Sequence, residues 1–396
     1  MKSIMKLIYI ISISVLISSC AVKNNLNKPI DNTFNRGVSQ YSYLTKRLNE
    51  NEYPKTYHKD KDILETSNSE WWCSGFYPGT LIYLDEGVNT HVFNKKINRV
   101  LNDLKREQYN TTTHDLGFMM YCSFGNAYRL DPKPEYAEIL MNSAKSLISR
   151  FDEKIGCIKS WDASDDSFLV IIDNMMNLEL LFWASEYSGD KKYYDIAVKH
   201  ANTTIENHFR ADYSSYHVIN YNSNTGEVKE KKTAQGFADE SAWARGQSWG
   251  LYGYTVMYRA TKDKKYLNQA VAIAEFILNH PNLPKNKVPY WDYNAPNMPN
   301  ALRDSSAGAI LASALLELNS FVDKKTSKKY FSAAKTIIKT LTSKEYIAEE
   351  GTNGGFLLKH GVGHMPQNSE IDVPLTYGDY YLIEAMLRYR KQVQKM

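Results

Sequence analysis

The feature that most constrains this chain is a helical hairpin that recurs along it. "YSGDKKYYDIAVKHA" (Tyr187 to Ala201) and "ATKDKKYLNQAVAIA" (Ala260 to Ala274) share an Asp-Lys-Lys-Tyr turn, followed at matching distances by Ala-Val and a further Ala. Looser copies occur in "RLDPKPEYAEILMNSA" (Arg129 to Ala144) and "FVDKKTSKKYFSAA" (Phe321 to Ala334). Each is a polar turn between two amphipathic helices, and the turns recur at roughly 60–75 residues, longer than tetratricopeptide or ankyrin repeats. A hydrophobic helix bearing Gly or Ala precedes each turn, and a helix with a one-sided apolar face follows it. That alternation predicts buried inner helices and half-exposed outer ones. About five or six such hairpins fit roughly 350 residues as an open solenoid or a closed double ring, and the apolar inner helices favour closure, because a solenoid leaves its concave face in water. The expected fold is all-α.

Three stretches resist the helical reading. "YHVINYNSNTGEVKEKKTAQGFAD" alternates around an Asn-Thr-Gly turn and reads as a β-hairpin or a long functional loop. "NHPNLPKNKVPYWDYNAPNMPN" and "GTNGGFLLKHGVGHMPQNSEIDVPL" are marked as irregular by Pro, Asn and Gly. Helical hairpins continue on both sides of each, so a single helical domain over residues 36–396 is the simplest account.

The chain opens differently. "MKSIMKLIYIISISVLISSC" has two Lys, an apolar run from Leu7 to Ile17 and Ser18-Ser19-Cys20, which is the pattern of an export signal over residues 1–20. Its ending looks like a bacterial lipobox, implying cleavage before Cys20 and lipid attachment to it. Residues 21–35 then read as a polar tether. The expected location is lipid-anchored on a cell membrane, in the periplasm or at the cell surface. No later stretch is long and apolar enough to span a bilayer. After Cys20 only Cys73, Cys122 and Cys157 remain, an odd number without metal-ligand spacing.

The formal net charge is +4 with both signs mixed, which lacks the basic footprint of a nucleic-acid binder. The 29 Tyr and 7 Trp provide surfaces that stack on ring-shaped ligands, although most serve packing.

Polar residues gather where the predicted inner helices begin. Trp72 and Ser74, His114 and Asp115, Asp173, Arg245 and Gln247, Arg303 and Asp304, and Tyr377 and Asp379 each open such a helix. If all these starts lie at one end of the bundle, they meet around one mouth and the turns lie at the other end. Asp304 is adequately explained as an N-cap, worth about 1 kcal/mol. A cap alone does not account for Asp115 and Asp173, each followed by an apolar, aromatic run. Facing across a pocket, one carboxyl is kept protonated by burial and by its neighbour while the other stays ionised, as acid/base chemistry on a sugar requires. Trp72, Trp161, Trp249 and Trp291 are candidates to stack on the sugar, and Arg245 or Arg303 to pair with its carboxylate or sulfate.

"HDLGF" (His114 to Phe118), "IIDNMMN" (Ile171 to Asn177), "WARGQSWGLYGY" (Trp243 to Tyr254), "RDSSAGAI" (Arg303 to Ile310) and "EIDVPLTYGDYYLIEA" (Glu370 to Ala385) together resemble glycoside hydrolase family 88, the unsaturated glucuronyl hydrolases. The resemblance covers nearly the whole chain after the tether, in order. It implies an (α/α)6 barrel. It also implies a substrate left by a polysaccharide lyase, an oligosaccharide whose non-reducing uronic acid carries a C4=C5 double bond. Asp173 matches the family's general acid/base and Asp115 the second acid that positions or tunes it. His217 and Gln247 match residues that contact the ring and the catalytic water, and Trp72, Trp161 and Trp291 match aromatic positions around the sugar. Tyr77 and Cys73 depart from the family's common Trp and hydroxyl residue, which bears on the outer sugars rather than the acids.

The related unsaturated rhamnogalacturonyl hydrolases share this barrel and chemistry. A helical glycan-binding lipoprotein would keep the aromatics and the anchor without needing two acids, and a repeat scaffold would need no polar helix starts. No cofactor or metal is implied: His360 and His364 are four apart, but Gly361 and Gly363 argue against the helix that a metal pair wants, and Gly351 to Gly355 lacks a phosphate-loop ending. Sulfated glycosaminoglycans and ulvan-type polymers both yield the expected unsaturated ring.

Overall fold

The Asp of the recurring turn is an N-cap. Asp190, Asp263 and Asp323 accept from the backbone N–H of Lys192, Lys265 and Lys325 respectively, and each starts an outer helix whose first donors would otherwise lack partners. The computed structural model describes residues 26–163 and 166–395. The expected signal over residues 1–20 and the lipid site Cys20 lie outside the described residues.

The helices are, in chain order, α1 (Asn27–Arg47), α2 (Phe76–Val88), α3 (Asn94–Leu104), α4 (Asn126–Leu130), α5 (Pro134–Ile148) and α6 (Leu178–Ser188). They continue as α7 (Lys191–His208), α8 (Ala244–Thr261), α9 (Lys264–Asn279), α10 (Ser305–Leu318), α11 (Lys324–Leu341) and α12 (Thr376–Val393). A π-helical stretch, Gly117–Gly125, leads into α4, and a 3-10 stretch, Ile172–Asn177, leads into α6. Even-numbered helices form an inner ring in which each packs on the next, α6 on the π-helical stretch that leads into α4, and α12 packs on α2, closing it. Odd-numbered helices pack outside. This is an (α/α)6 barrel, as the family resemblance implies, and the closed form of the two that the hairpin alternation allows. Inner helices α2, α8, α10 and α12 are buried nearly all round, α10 along almost its full length, whereas α11 buries one stripe. Helix α1 begins at Asn27 and buries Ile30 and Phe34. The tether expected over residues 21–35 is therefore corrected: from Asn27 onward it is part of the barrel, because those apolar side chains have a groove to fill.

Every connection from an outer helix to the next inner one crosses the same end of the barrel, and the strands lie there. They are β1 (Tyr53–His58) paired with β2 (Ile63–Ser67), β3 (Phe151–Asp152) with β4 (Cys157–Ile158), a three-stranded sheet β5 (Ser167–Ile171), β6 (Val218–Asn222) and β7 (Val228–Lys232), and β8 (Gly361–His364) with β9 (Ser369–Val373). The β6–β7 hairpin is the one expected from the alternating segment. β1, β2, β8 and β9 are short strands that the sequence did not announce, set at the mouth of the helical barrel.

Candidate active site

Strand register brings the first acid to its partner. β5 and β6 pair antiparallel with Ile171 opposite Val218, and Ile172 N–H donates to the His217 carbonyl at 3.0 Å. One residue further along, Asp173 Oδ2 lies 3.6 Å from His217 Nε2. The second acid arrives through a close approach of two inner helix starts. A Cβ built on Gly117 would lie 2.4 Å from Asn177 Cα, so only glycine lets the π-helical turn and the 3-10 turn touch, and Phe118 N–H then donates to Asn177 Oδ1 at 3.1 Å. Asp115 precedes that contact by two residues. Its Oδ2 accepts from Thr113 Oγ1 at 3.3 Å, and its Oδ1 lies 3.2 Å from His114 Nε2.

Burial governs the electrostatics of both acids. Asp115 is 9% exposed and Asp173 7%, and each carboxyl is pushed up to about 7. For Asp173 the causes after burial are the Arg245 charge, which opposes the rise, and Asp115, which adds to it. For Asp115, burial is opposed by Thr113, Asn177 and Arg150. His114 and His217 are also buried, which pulls His114 down to about 3 and His217 well below its ordinary value. Asp173 Oδ2, His114 Nε2 and His217 Nε2 are buried without a hydrogen-bond partner. Orphaned polar atoms at one spot mark a place built for a ligand or a water. Among the described residues no group of three His, Cys, Asp or Glu is arranged to hold a metal.

The structure sorts the remaining candidates. Trp161 stands at the rim, 37% exposed, its edge against His217 at 5.9 Å. Trp72 is half-buried among Phe76, Phe118 and Tyr377. Arg245 is brought to the site, but as a wall rather than as a hand for an anion. Its guanidinium donates to Asp304 Oδ2 at 2.9 Å and to the carbonyls of Val362 and Gly363, between the rings of Trp243 and Tyr377. Arg303 lies over Tyr290 and donates to the Val288 carbonyl. Gln247 is likewise engaged: its Oε1 accepts from Ser215 N–H at 2.6 Å and from Ser215 Oγ at 2.7 Å, tying α8 to the segment that leads to His217. Trp249 is buried below the mouth against Phe118 and Tyr381. Trp291 packs in a satellite cluster with Tyr290, Ala295 and Val362, its edge against Phe237. Arg245 and Gln247 thus give polar atoms to protein partners, and Trp249 and Trp291 pack on neighbouring rings, with Trp249 Nε1 buried and without a hydrogen-bond partner. Asp304 is the cap expected of it, accepting from Ser306 N–H.

Three residues went unnoticed in the sequence. Trp243 lies against the His217 ring at 4.4 Å. Ser160 takes its carbonyl to His114 Nδ1 at 2.9 Å. Glu370, on β9 with φ +55, is a third acid whose carboxyl burial raises. Trp243 and Glu370 stand inside the quoted motifs, so their position was visible. Ser160 had no signal, since its backbone does the work.

No protein-family model matches the chain. An unsaturated glucuronyl hydrolase of Formosa agariphila is 41% identical over 406 aligned positions that span 100% of both proteins. An unsaturated chondroitin disaccharide hydrolase of Streptococcus pneumoniae is 34% identical, with 85% of this chain and 86% of that protein aligned. Among solved structures, an unsaturated glucuronyl hydrolase specific for heparin matches with a TM-score of 0.89 at 45% identity, covering 93% of this chain and 98% of that one.

Proposed function

The chain belongs to the unsaturated glucuronyl hydrolases of glycoside hydrolase family 88, and from that premise we propose that it removes the 4,5-unsaturated uronic acid from the non-reducing end of glycosaminoglycan-derived oligosaccharides. Relatives named for chondroitin and heparin fragments support that substrate class. A polysaccharide lyase must act first, since elimination is what creates the C4=C5 bond.

The chemistry we assign begins with Asp173, which gives its proton to C4 of the vinyl ether and leaves an oxocarbenium at C5. Water adds to C5 and returns a proton to the Asp173 carboxylate. The C5 hemiketal opens by breaking its bond to the ring oxygen. That oxygen becomes the hydroxyl of a hemiacetal at C1, which expels the remaining sugar chain. The observation that carries this reading is the pair of buried carboxyls held near 7 beside an orphaned Asp173 Oδ2, since an acid poised near neutrality serves both proton transfers. His217 and Asp115 orient and tune it, and Trp161 and Trp72 border the ring.

The test follows the ultraviolet band of the conjugated uronate in lyase digests of chondroitin, hyaluronan, heparin and ulvan. Wild type bleaches at least one digest and Asp173→Asn none. No bleaching of any digest by folded wild type overturns the reading, and the fastest digest names the polymer. The Cys20 anchor is part of the same proposal and rests on the "ISSC" sequence.

A further inference from the structure

Four of the outer helices open with charge of the disfavoured sign. α7 begins with Lys191-Lys192, α9 with Lys264-Lys265 and α11 with Lys324-Lys325, and α3 carries Lys95-Lys96 near its start, with no acid in the first turn of any of them. The free N–H groups of a helix start form the positive end of its dipole, so lysine is opposed there and Asp or Glu is favoured. Among the outer helices only α5 has such an acid, Glu135. Composition does not force the pattern, since 48 Lys and Arg stand against 44 Asp and Glu in the whole chain. A placement that costs stability and recurs at one structural position points to function.

All these starts lie at the turn end of the barrel, opposite Asp115 and Asp173. The acids of the turns, Asp190, Asp263 and Asp323, each give an oxygen to a backbone N–H that they cap. Lys265 also reaches Asp263 at 3.5 Å. Lys191, Lys192, Lys264, Lys324 and Lys325 are exposed and form no ion pair among the described residues. The end of α12 adds Lys391 and, just beyond it, Lys395. Three consecutive turns of the same ring carry apolar tips instead: Val92, Leu130 and Tyr187 are 59%, 49% and 52% exposed. Lysines with isolated apolar or aromatic tips suit the boundary between water and a bilayer. α1 enters at this end too, where Asp31 pairs with Arg390 on α12. Seven residue steps separate Asn27, its first residue, from Cys20, a reach of at most about 25 Å. A lipid on Cys20 would keep the turn end within that distance of a bilayer.

We propose that the turn end is a docking face for an anionic bilayer surface: the lysines that open α7, α9 and α11 meet the phosphates of acidic glycerophospholipids, and Val92, Leu130 and Tyr187 enter the interface beside them. Lysine fits this role, because a point charge on a flexible stem pairs with phosphates that have no fixed arrangement. The anchor then supplies local concentration, and the lysines decide which end of the barrel faces lipid. The affinity for anionic lipid rests neither on the Cys20 reading nor on the proposed reaction; the orientation of an anchored enzyme rests on Cys20.

The test uses the full chain with Cys20→Ser, so that no attached lipid contributes, sedimented with vesicles of phosphatidylcholine alone or mixed with phosphatidylglycerol. Binding through the apolar run at residues 7–17 is common to every variant and is read on phosphatidylcholine alone. Phosphatidylglycerol strengthens binding on the order of a hundredfold or more, and added salt reverses the gain. Lys264→Gln, Lys324→Gln and Lys325→Gln together remove most of that gain, about fivefold for each charge. These changes relieve the helix starts, so the triple variant keeps its fold. Lys61→Gln, in the β1–β2 connection at the mouth, leaves the gain unchanged, and Leu130→Ser lowers binding at every salt concentration. A protein that ignores phosphatidylglycerol, or a triple variant that binds as its parent does, overturns the proposal. So does capture by a soluble sulfated polysaccharide without any response to phosphatidylglycerol, which would assign the lysines to a glycan. With the vesicle result intact, absence of a lipid on Cys20 removes only the orientation, and absence of turnover on every unsaturated oligosaccharide overturns only the proposed function.

Discussion

At Asp173 the arrangement that serves catalysis opposes stability, and the opposition has a measurable sign. Its folded carboxyl titrates at about 7, whereas an unfolded Asp titrates near 4. Below about pH 4 both states are protonated and the group costs nothing. As pH rises from there through 7, the unfolded chain ionises first, so stability contributed by the neutral buried acid is lost and then levels off. Asp173→Asn has no such loss. Its stability advantage over wild type grows between about pH 4 and pH 7 to on the order of 4 kcal/mol, read as a difference in thermal midpoint across that range. The same variant loses turnover by roughly 10²–10⁴-fold, the scale of a removed general acid/base, while retaining oligosaccharide binding. A variant with neither the activity loss nor the pH-dependent stabilisation would place the chemistry elsewhere. Arg245 makes the opposite case. Its replacement by Ala leaves Asp304, 0% exposed, without its cation, and urea unfolding shows a loss of about 3–5 kcal/mol. A loss below about 1 kcal/mol would return Arg245 to the pool of free site charges.

Elements show which signals a sequence carries and which it does not. The helices were legible because a 3.6-residue apolar period and the Asp caps are local, repeated facts. The β6–β7 hairpin was legible through its Asn-Thr-Gly turn. β1 and β2 were not, since "YPKTYH" and "ILETS" are short and β1 carries a Pro, and β8 and β9 are too rich in Gly and polar residues to show alternation. The acids could be read because each opens an inner helix. The fates of Gln247 and Arg245 could not, because their partners lie 32 and 118 residues away in the chain, and only the closed ring brings these together. The same closure makes Gly75 critical: a Cβ there would meet Met119 O at 2.1 Å and Phe118 O at 2.3 Å. Gly75→Ala therefore forces α2 off the π-helical stretch that follows Asp115. It costs about 3 kcal/mol or more in denaturant unfolding and lowers kcat through the displaced acid. An unchanged unfolding midpoint would mean that the two elements are free to slide.

Across the whole molecule, alternating chain direction ties the N-terminus to one end of the barrel. Inner helices begin at the mouth and finish at the polar turns, and outer helices run back. α1 is an outer helix, so it enters at the turn end. Asp31 in its second turn pairs with Arg390 near the end of α12, and Arg390 also donates to the Gly87 carbonyl near the end of α2. A lipid on Cys20 would thus hold the barrel by the end opposite Asp115 and Asp173, with the mouth turned away from the bilayer. Two measurements follow for the full chain made in a bacterial host. Labelled palmitate is incorporated into wild type and not into Cys20→Ser. The membrane-held enzyme also shows the same KM for a soluble unsaturated oligosaccharide as the Cys20→Ser form, within about twofold, because no surface blocks substrate entry. A KM raised tenfold by membrane attachment would mean that the mouth is covered. That would contradict the direction of α1, since a helix entering at the turn end leaves the acids on the far side of the barrel.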